Sequence, residues 1–270
     1  MPSLDETDAS TLPLPRILCL HGGGVNGTVF RKQCRALLKS RLSSHFRLVF
    51  VDGPFPCEPH PAIGPVYGAD GPFFRWLRWL PEHDDLDAQQ TAREILDQIR
   101  AAMDADAGTG PWAGVLGFSQ GAKLAASLLW TQQHVRDAVP MLSPDARFRF
   151  GVFLAGSAPP VVLDPNGVLF PLPRHVATAE GLSLAFKDWP RDNEGPYAIE
   201  APTLHVHGLR DQGLEGHRRL LRLYAKPGMG RLMEWDGDHR IPLKTADVER
   251  LVSGILELGQ ATGFVDSTSD

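Results

Sequence analysis

The pentapeptide Gly117-Phe118-Ser119-Gln120-Gly121 has the form G-x-S-x-G and joins two segments of different character. The apolar run at 113–116 before it predicts a buried strand, and the stretch at 122–130 after it is helix-like. In a strand–turn–helix setting, this motif puts the serine in a sharp elbow with its hydroxyl exposed above a sheet. Glycines are expected on either side because a Cβ there would clash with the neighbouring strand or helix. Ser119 is therefore the candidate nucleophile.

Strand-like and helix-like segments alternate on both sides of this elbow. Strands are predicted at 16–20, 46–51, 148–154, 203–207 and 231–234, and helices at 29–42, 86–103, 216–224 and 245–258. Such alternation predicts an α/β fold with a mainly parallel central sheet and helices on both faces.

The length of 270 residues fits one domain covering 1–270. We expect its ends, 1–14 and 262–270, to be flexible. Two stretches rich in proline and glycine, at about 54–81 and 159–201, predict lid-like insertions rather than further domains.

Composition narrows the class of protein. A net charge of −5 and an isoelectric point near 6.1, with no cluster of Lys and Arg, argue against a nucleic-acid partner. There is no apolar run long enough to span a membrane and no secretory signal pattern, so we expect a cytoplasmic protein. The three cysteines, Cys19, Cys34 and Cys57, predict neither a disulfide framework nor a zinc site.

A serine hydroxyl needs a base and a third group that orients the base. Asp211 and His239 follow Ser119 in the order Ser, Asp, His, and each comes just after a predicted strand. We predict that His239 takes the proton from Ser119 and that Asp211 holds the imidazole tautomer. Asp236 and Asp238 are rival orienting groups, but they lie too close to His239 in sequence to orient it easily.

Backbone N–H groups should stabilise the developing oxyanion. One is the N–H of Gln120, which follows the candidate nucleophile. The second should come from the loop after the first strand, where Gly23 is favoured and Gly24 is the alternative. His21, at the start of that loop, is expected to brace it rather than to act as an acid or base.

The insertion at 54–81 is unusually aromatic. It contains Phe55, Tyr67, Phe73, Phe74, Trp76 and Trp79. These rings predict an apolar wall of a substrate pocket, and the alternative is a surface loop that packs on its own rings. The predicted substrate-binding residues are His21, Tyr67, Phe73, Phe74 and Trp76. His205 and His207 alternate on one strand without an evident carboxylate or third histidine, so no metal site is predicted.

Parts of the sequence are also compatible with two other classes of protein. Residues 22–27 satisfy G-x-G-x-x-G after a strand, and the next strand ends at Asp52, which together resemble a dinucleotide-binding fingerprint. The hypothesis of an NAD(P)-dependent oxidoreductase leaves the order of Ser119, Asp211 and His239 unexplained. A non-catalytic binding protein on a hydrolase scaffold is disfavoured by the same three residues.

In its order of motifs the chain resembles the fungal serine hydrolase family of α/β-hydrolases, which is related to the human ovarian-cancer-associated gene 2 product. The matching segments lie at 17–22, 50–54, 117–121, 153–156, 207–211 and 237–242. The chain departs from the family at Gly23 and Gly24, where many members carry larger residues.

This resemblance implies an α/β-hydrolase fold and a cofactor-independent esterase or thioesterase with Ser119, Asp211 and His239 as catalytic residues. The expected substrate is a small-molecule acyl ester or thioester. Several fungal members look like partners of polyketide synthases, so release or editing of a polyketide chain on an acyl carrier domain is expected. The alternative is a general carboxylesterase that acts on small apolar esters.

Overall fold

A computed structural model describes residues 9–135, 142, 146–169, 171–181 and 186–266. Its centre is a six-stranded sheet in which all neighbouring strands are parallel. In spatial order the strands are β10 (Gly230–Trp235), β9 (Thr203–Gly208), β6 (Phe150–Leu154), β5 (Trp112–Phe118), β1 (Arg16–Leu20) and β2 (Arg47–Val51). The prediction of a mainly parallel sheet is confirmed.

Helices cover both faces of this sheet. They are α1 (Gly27–Gln33), α2 (Arg35–Leu38), α3 (Gly64–Tyr67), α4 (Ala88–Ala105), α5 (Gln120–His134), α6 (Leu214–Tyr224) and α7 (Thr245–Ala261). Apolar residues of α4, α5 and α6 form one core with one face of the sheet. Those of α1, α2 and α7 form a second core on the opposite face. Two layers of helices therefore bury the sheet between them.

The helix predicted at 29–42 is interrupted. Helix α1 ends at Gln33 with Cys34 as its C-cap, the short α2 follows, and a 3₁₀ turn occupies Arg41–Ser44. The Ser40 hydroxyl accepts a hydrogen bond from the backbone N–H of Leu42 and so begins this new turn. A local side-chain bond of this kind competes with continuation of the helix, which apolar spacing alone does not reveal.

The strand order places a topological switch between β1 and β5. From β1 the chain moves outward to β2 and then crosses back to β5 on the other side. Helix α1 leaves β1 toward one face, and α5 leaves β5 toward the other. A crevice therefore opens beyond the carboxyl ends of these two strands, which is where ligands bind in open α/β sheets.

The first insertion forms a small structure of its own beside this crevice. Strand β3 (Phe55–Cys57) pairs antiparallel with β4 (Phe73–Arg75), and α3 and a 3₁₀ turn at Gly68–Asp70 lie between them. Val25 pairs with Phe74 in an isolated bridge, which ties the insertion to the loop after β1. Sequence periodicity did not predict these short elements.

The second insertion packs on α5. Its strands β7 (Val161–Val162) and β8 (Ala177–Thr178) pair in parallel. The backbone N–H of Val161 donates to the Ser127 hydroxyl at 2.8 Å, and that of Leu163 donates to Thr131 Oγ1 at 3.2 Å. Because Val161 and Leu163 are buried in the same core as α5, this segment is part of the packed body.

The ends of the chain are anchored where they are described. Thr11 is buried and its hydroxyl oxygen accepts a hydrogen bond from the Arg47 guanidinium, which also binds Asp106 at 2.7 Å. Near the other end, Val265 is buried in the core that contains α7. Thr11 and Val265 thus pack into the fold, and residues 1–8 and 267–270 of the two predicted flexible ends lie outside the described residues. Within the described chain, no helix is long and apolar enough to cross a bilayer.

We expect Gly121→Ala to destabilise the fold by about 3 kcal/mol, which denaturant unfolding would measure. A Cβ at Gly121 would lie 2.1 Å from the Leu20 carbonyl oxygen, so α5 and β1 would have to move apart. The matched control is Gly68→Ala, where no atom lies within 4 Å of the added Cβ. Equal stability of the two variants would contradict this account of the elbow.

Candidate active site

The elbow holds Ser119 in a strained backbone conformation. Its φ and ψ angles are 54° and −116°, immediately after β5 and before the first residue of α5. Such a conformation costs a non-glycine residue about 1–3 kcal/mol. The Ser119 N–H is fixed by a 2.8 Å hydrogen bond to the Leu154 carbonyl of the neighbouring strand. The predicted nucleophile therefore stands at the carboxyl edge of the sheet, at the switch point.

The structure brings the three predicted residues together in one line of hydrogen bonds. His239 Nε2 lies 2.9 Å from Ser119 Oγ, and His239 Nδ1 lies 2.7 Å from Asp211 Oδ2. A carboxylate can only accept, so Nδ1 carries the proton and the lone pair of Nε2 faces the serine hydroxyl. The second oxygen of Asp211 accepts from the Gly213 N–H at 2.8 Å. These bonds fix both the orientation and the tautomer of His239.

Burial differs along this line. The side chain of Asp211 is 2% exposed, whereas that of His239 is 43% exposed. A buried carboxylate next to a half-open imidazole stabilises positive charge on the imidazole, because little water screens the pair. The rival acids are engaged elsewhere, since Asp236 pairs with Arg210 and Asp238 with Arg240.

The two predicted oxyanion donors lie on either side of the switch point. The Gln120 N–H belongs to the first residue of α5, where N–H groups lack acceptors within the helix. The Gly24 N–H is engaged, because it donates to the Phe74 carbonyl at 2.9 Å. Within the described residues, the Gly23 N–H has no such acceptor. Of the two alternatives left open by the sequence, the structure therefore favours Gly23.

His21 braces the loop, as predicted, but it does not line an open surface. Its Nδ1–H donates to the Gly22 carbonyl at 2.7 Å, and its Nε2 accepts from the Gly53 N–H at 2.9 Å. The Trp76 indole N–H donates to the His21 carbonyl at 3.0 Å. Both His21 and Trp76 are 0% exposed. Their assignment as substrate-binding residues is therefore corrected: both are interior supports of the loop.

The remaining aromatic residues divide between interior and surface. Phe73 is buried in a small cluster with Val25 and Val29, against which Tyr67 packs. This part of the insertion packs on its own rings, as the alternative interpretation had it. Phe74 is half-buried beside the loop after β1.

Trp79 is the ring that lies against Gly23, in the loop after β1. It is half-buried, and a Cβ added at Gly23 would come within 2.8 Å of the indole. Glycine at position 23 therefore lets this ring lie directly on the backbone. The sequence included Trp79 in the aromatic wall, but nothing in the spacing distinguished it from Trp76.

A role of the Gln120 side chain was missed by the sequence analysis. Its Oε1 accepts from the backbone N–H groups of Trp76 at 2.7 Å and Leu77 at 3.2 Å, and its Nε2 donates to the Leu77 carbonyl at 3.0 Å. The residue that follows the nucleophile thereby fixes the first insertion to the elbow. The amide side chain at this motif position was the available signal.

The sequence analysis also missed a row of neighbouring histidine rings next to the site. The ring of His217 lies 5.9 Å from that of His207 and 6.0 Å from that of His239. This corrects the expectation that no third histidine lies near His205 and His207. Burial lowers the pKa of His217 and of His207 to about 4 and that of His205 to about 3, so all three are neutral at pH 7.

The dinucleotide interpretation fails on the geometry of residues 22–27. The Asp52 carboxylate accepts the Gly27 N–H at 2.7 Å, at the first residue of α1. Asn26 caps the same helix through Val29 N–H. The start of this helix and the acid are thus engaged with each other rather than open to a pyrophosphate and a ribose.

A parallel sheet in which a central strand ends in a serine elbow, with Asp and His after β9 and β10, the last two strands on one side, defines an α/β-hydrolase. The chain matches the family described as "Serine hydrolase (FSH1)" over residues 11–251 and belongs to that family. It is a serine hydrolase that acts on ester bonds.

The esterase pigG of Monascus ruber is 48% identical over 275 residues, which cover 98% of each chain. The esterase claE of Penicillium crustosum is 44% identical over 260 residues, which cover 95% of this chain and 97% of that one.

Solved structures share the fold at low sequence identity. Acyl-protein thioesterase 2 of Zea mays superposes with a TM-score of 0.52 at 14% identity, over 91% of this chain and 94% of that one. A fungal esterase from Rhizomucor miehei superposes with a TM-score of 0.51 at 12% identity, over 94% of this chain and 76% of that one. The expected α/β-hydrolase fold is confirmed.

We expect the melting temperature to fall as the pH is lowered from 7 to 5. The pKa of His21 is held at about 4 by burial, and His205, His207 and His217 are lowered likewise. The unfolded chain binds protons near pH 6.5 while the folded chain does not, so stability is full above 6.5 and is lost toward 4.

Calorimetry across that pH range is the measurement. His205→Gln should flatten the slope, because it removes one of the buried titrating groups. An unchanged melting temperature between pH 7 and 5 would contradict the assignment of these histidines as neutral.

Proposed function

We propose that Ser119, His239 and Asp211 are the catalytic triad. The observation that carries this proposal is the single imidazole of His239, which bridges the serine hydroxyl and the buried carboxylate at 2.9 and 2.7 Å. As His239 Nε2 takes the hydroxyl proton, Ser119 Oγ attacks the acyl carbonyl. The imidazolium that forms is stabilised by Asp211 and then gives its proton to the leaving group.

The oxyanion formed in each step would be held by the N–H groups of Gln120 and Gly23. Both approach from helix or loop backbone at the switch point, so they are in place before the charge develops. A water molecule deprotonated by His239 then attacks the acyl-enzyme and releases the acid. The first insertion supports this arrangement through the Gln120 side chain and the Trp79 ring.

We further propose that the substrate is an acyl thioester or ester of a polyketide-type acid carried by an acyl carrier domain. The support is the resemblance to fungal polyketide-associated hydrolases together with the similarity to fungal esterases. The exposed face of His239 leaves an approach for an extended acyl arm. The alternative is a general carboxylesterase for small apolar esters.

We also infer a one-domain, cytoplasmic enzyme. Cys19, Cys34 and Cys57 are all free thiols, which fits a reducing compartment. Fractionation of the producing cells tests this inference, and recovery outside the cytoplasm would contradict it.

Ser119→Ala should abolish labelling by a fluorophosphonate probe and lower kcat by about 10⁶-fold. Asp211→Asn should lower kcat by about 10⁴-fold, because the amide no longer holds the Nδ1–H tautomer. Ser157→Ala is the matched control, since Ser157 lies in the segment that follows the adjacent strand β6 and takes no part in the proposed triad. Intact mass and steady-state kinetics are the measurements. Labelling that survives Ser119→Ala would remove the triad assignment.

For the carrier hypothesis, we expect kcat/KM for a carrier-bound acyl thioester to exceed that for a simple thioester of the same acid by at least about tenfold. Binding energy from the carrier would be used at the reacting centre. Equal values for the two substrates would reject the carrier. Faster turnover of small p-nitrophenyl esters than of either thioester would favour the general carboxylesterase.

A further inference from the structure

One buried nitrogen beside the triad has no hydrogen-bond partner among the described residues. His217, on α6, is 1% exposed, and its Nδ1 makes no hydrogen bond. This atom lies 3.8 Å from Asp211 Oδ2, beyond the range of about 2.7–3.2 Å for N–H···O bonds. An unpaired buried polar atom in a folded protein calls for a physical explanation.

Three donor atoms converge at this point. A nitrogen of His217, a nitrogen of His239 and a carboxylate oxygen of Asp211 lie within 4.8 Å of one another. Two imidazoles and a carboxylate form a ligand set typical of zinc. Around a tetrahedral zinc ion, such donors sit about 3.3–3.6 Å apart, given metal–ligand distances of about 2.0–2.2 Å.

The observed distances are close to that requirement. The 3.8 Å separation of His217 and Asp211 suits neighbours on one ion better than a hydrogen bond. The 2.7 Å separation of His239 and Asp211 would have to open by less than about 1 Å, given the same zinc geometry. His239 is half-exposed, so its ring has room to move.

We propose that Asp211, His217 and His239 form an inhibitory Zn²⁺ site that competes with the working triad. Two imidazole ligands select Zn²⁺ over Mg²⁺, which prefers oxygen ligands. The ion is not required for the reaction. This proposal rests on the proposed function in one respect, namely that inhibition acts through His239 as the base.

Inhibition follows from the tautomer of His239. Zinc at Nδ1 occupies the lone pair of that nitrogen, so the single proton of the neutral imidazole moves to Nε2. Nε2 then has no lone pair with which to take the Ser119 proton. The ion also neutralises Asp211, which removes the charge that would stabilise an imidazolium. No proton is gained or lost overall, because the imidazole proton only changes nitrogen.

The first test is a zinc titration of ester hydrolysis, with chelator reversal and with Mg²⁺ as the control ion. We expect Zn²⁺ to lower kcat of the unmodified enzyme and Mg²⁺ to leave it unchanged. His217→Leu should raise the Zn²⁺ concentration for half-inhibition at least about tenfold. His217→Gln, which keeps a polar side chain, is the second variant if the first does not fold. Sensitivity is compared with each variant's own zinc-free rate.

His60→Gln is the matched control. His60 is an exposed histidine whose backbone N–H donates to Gly24 O, beside the oxyanion loop. It interacts electrostatically with His239 and therefore offers zinc a rival nitrogen near the triad. The proposal would be overturned if His60→Gln abolished the inhibition by zinc while the His217 variants retained it.

The second test reads the ion directly. Co²⁺ added to Ser119→Ala should give the visible absorption of a tetrahedral site at one equivalent, and Ser119→Ala combined with His217→Leu should not. This readout does not need hydrolysis. Absence of the band would overturn the zinc site while leaving the triad intact. A band in Ser119→Ala, together with an unmodified enzyme that the fluorophosphonate does not label, would support the site and reject the proposed function.

Discussion

The close approach of α5 to β1 is the constraint on which the site depends. A Cβ at Gly117 would lie 2.1 Å from the Gly121 carbonyl oxygen, and one at Gly121 would lie 2.1 Å from the Leu20 carbonyl oxygen. Three backbone segments therefore meet without side chains between them. This contact holds Ser119 in its strained elbow and brings the loop after β1 beside it. The candidate nucleophile and both candidate oxyanion donors are thus positioned by the same close backbone contact.

The electrostatics around this contact are simple. The charged group buried in the line of hydrogen bonds is Asp211, and the imidazoles behind it are kept neutral by burial. Neutral neighbours leave the field of the carboxylate directed at His239. Because low dielectric strengthens such a field, an imidazolium formed there is stabilised more than it would be in water.

Gln120 connects the serine elbow to the first insertion. Its backbone N–H belongs to the first turn of α5, while its side chain makes three hydrogen bonds with Trp76 and Leu77 of the first insertion. The Gly24 N–H is bound to the same insertion through Phe74. A shift of the insertion would therefore displace the backbone of the elbow and of the loop after β1. The position of the first insertion is linked through these contacts to the geometry of the elbow and of the loop after β1.

Local sequence signals predicted the sheet, the serine elbow and the three residues of the proposed triad. Periodicity, turn glycines and the order of Ser119, Asp211 and His239 are local signals, and parallel strands bring their ends to one edge. Only the tertiary structure decided that Trp79 rather than Trp76 lies on Gly23, that Gly24 is engaged, and that His217 stands beside Asp211. Those choices depend on contacts between segments that are distant in sequence. A residue's spacing within an irregular insertion does not fix which way its ring or its N–H points.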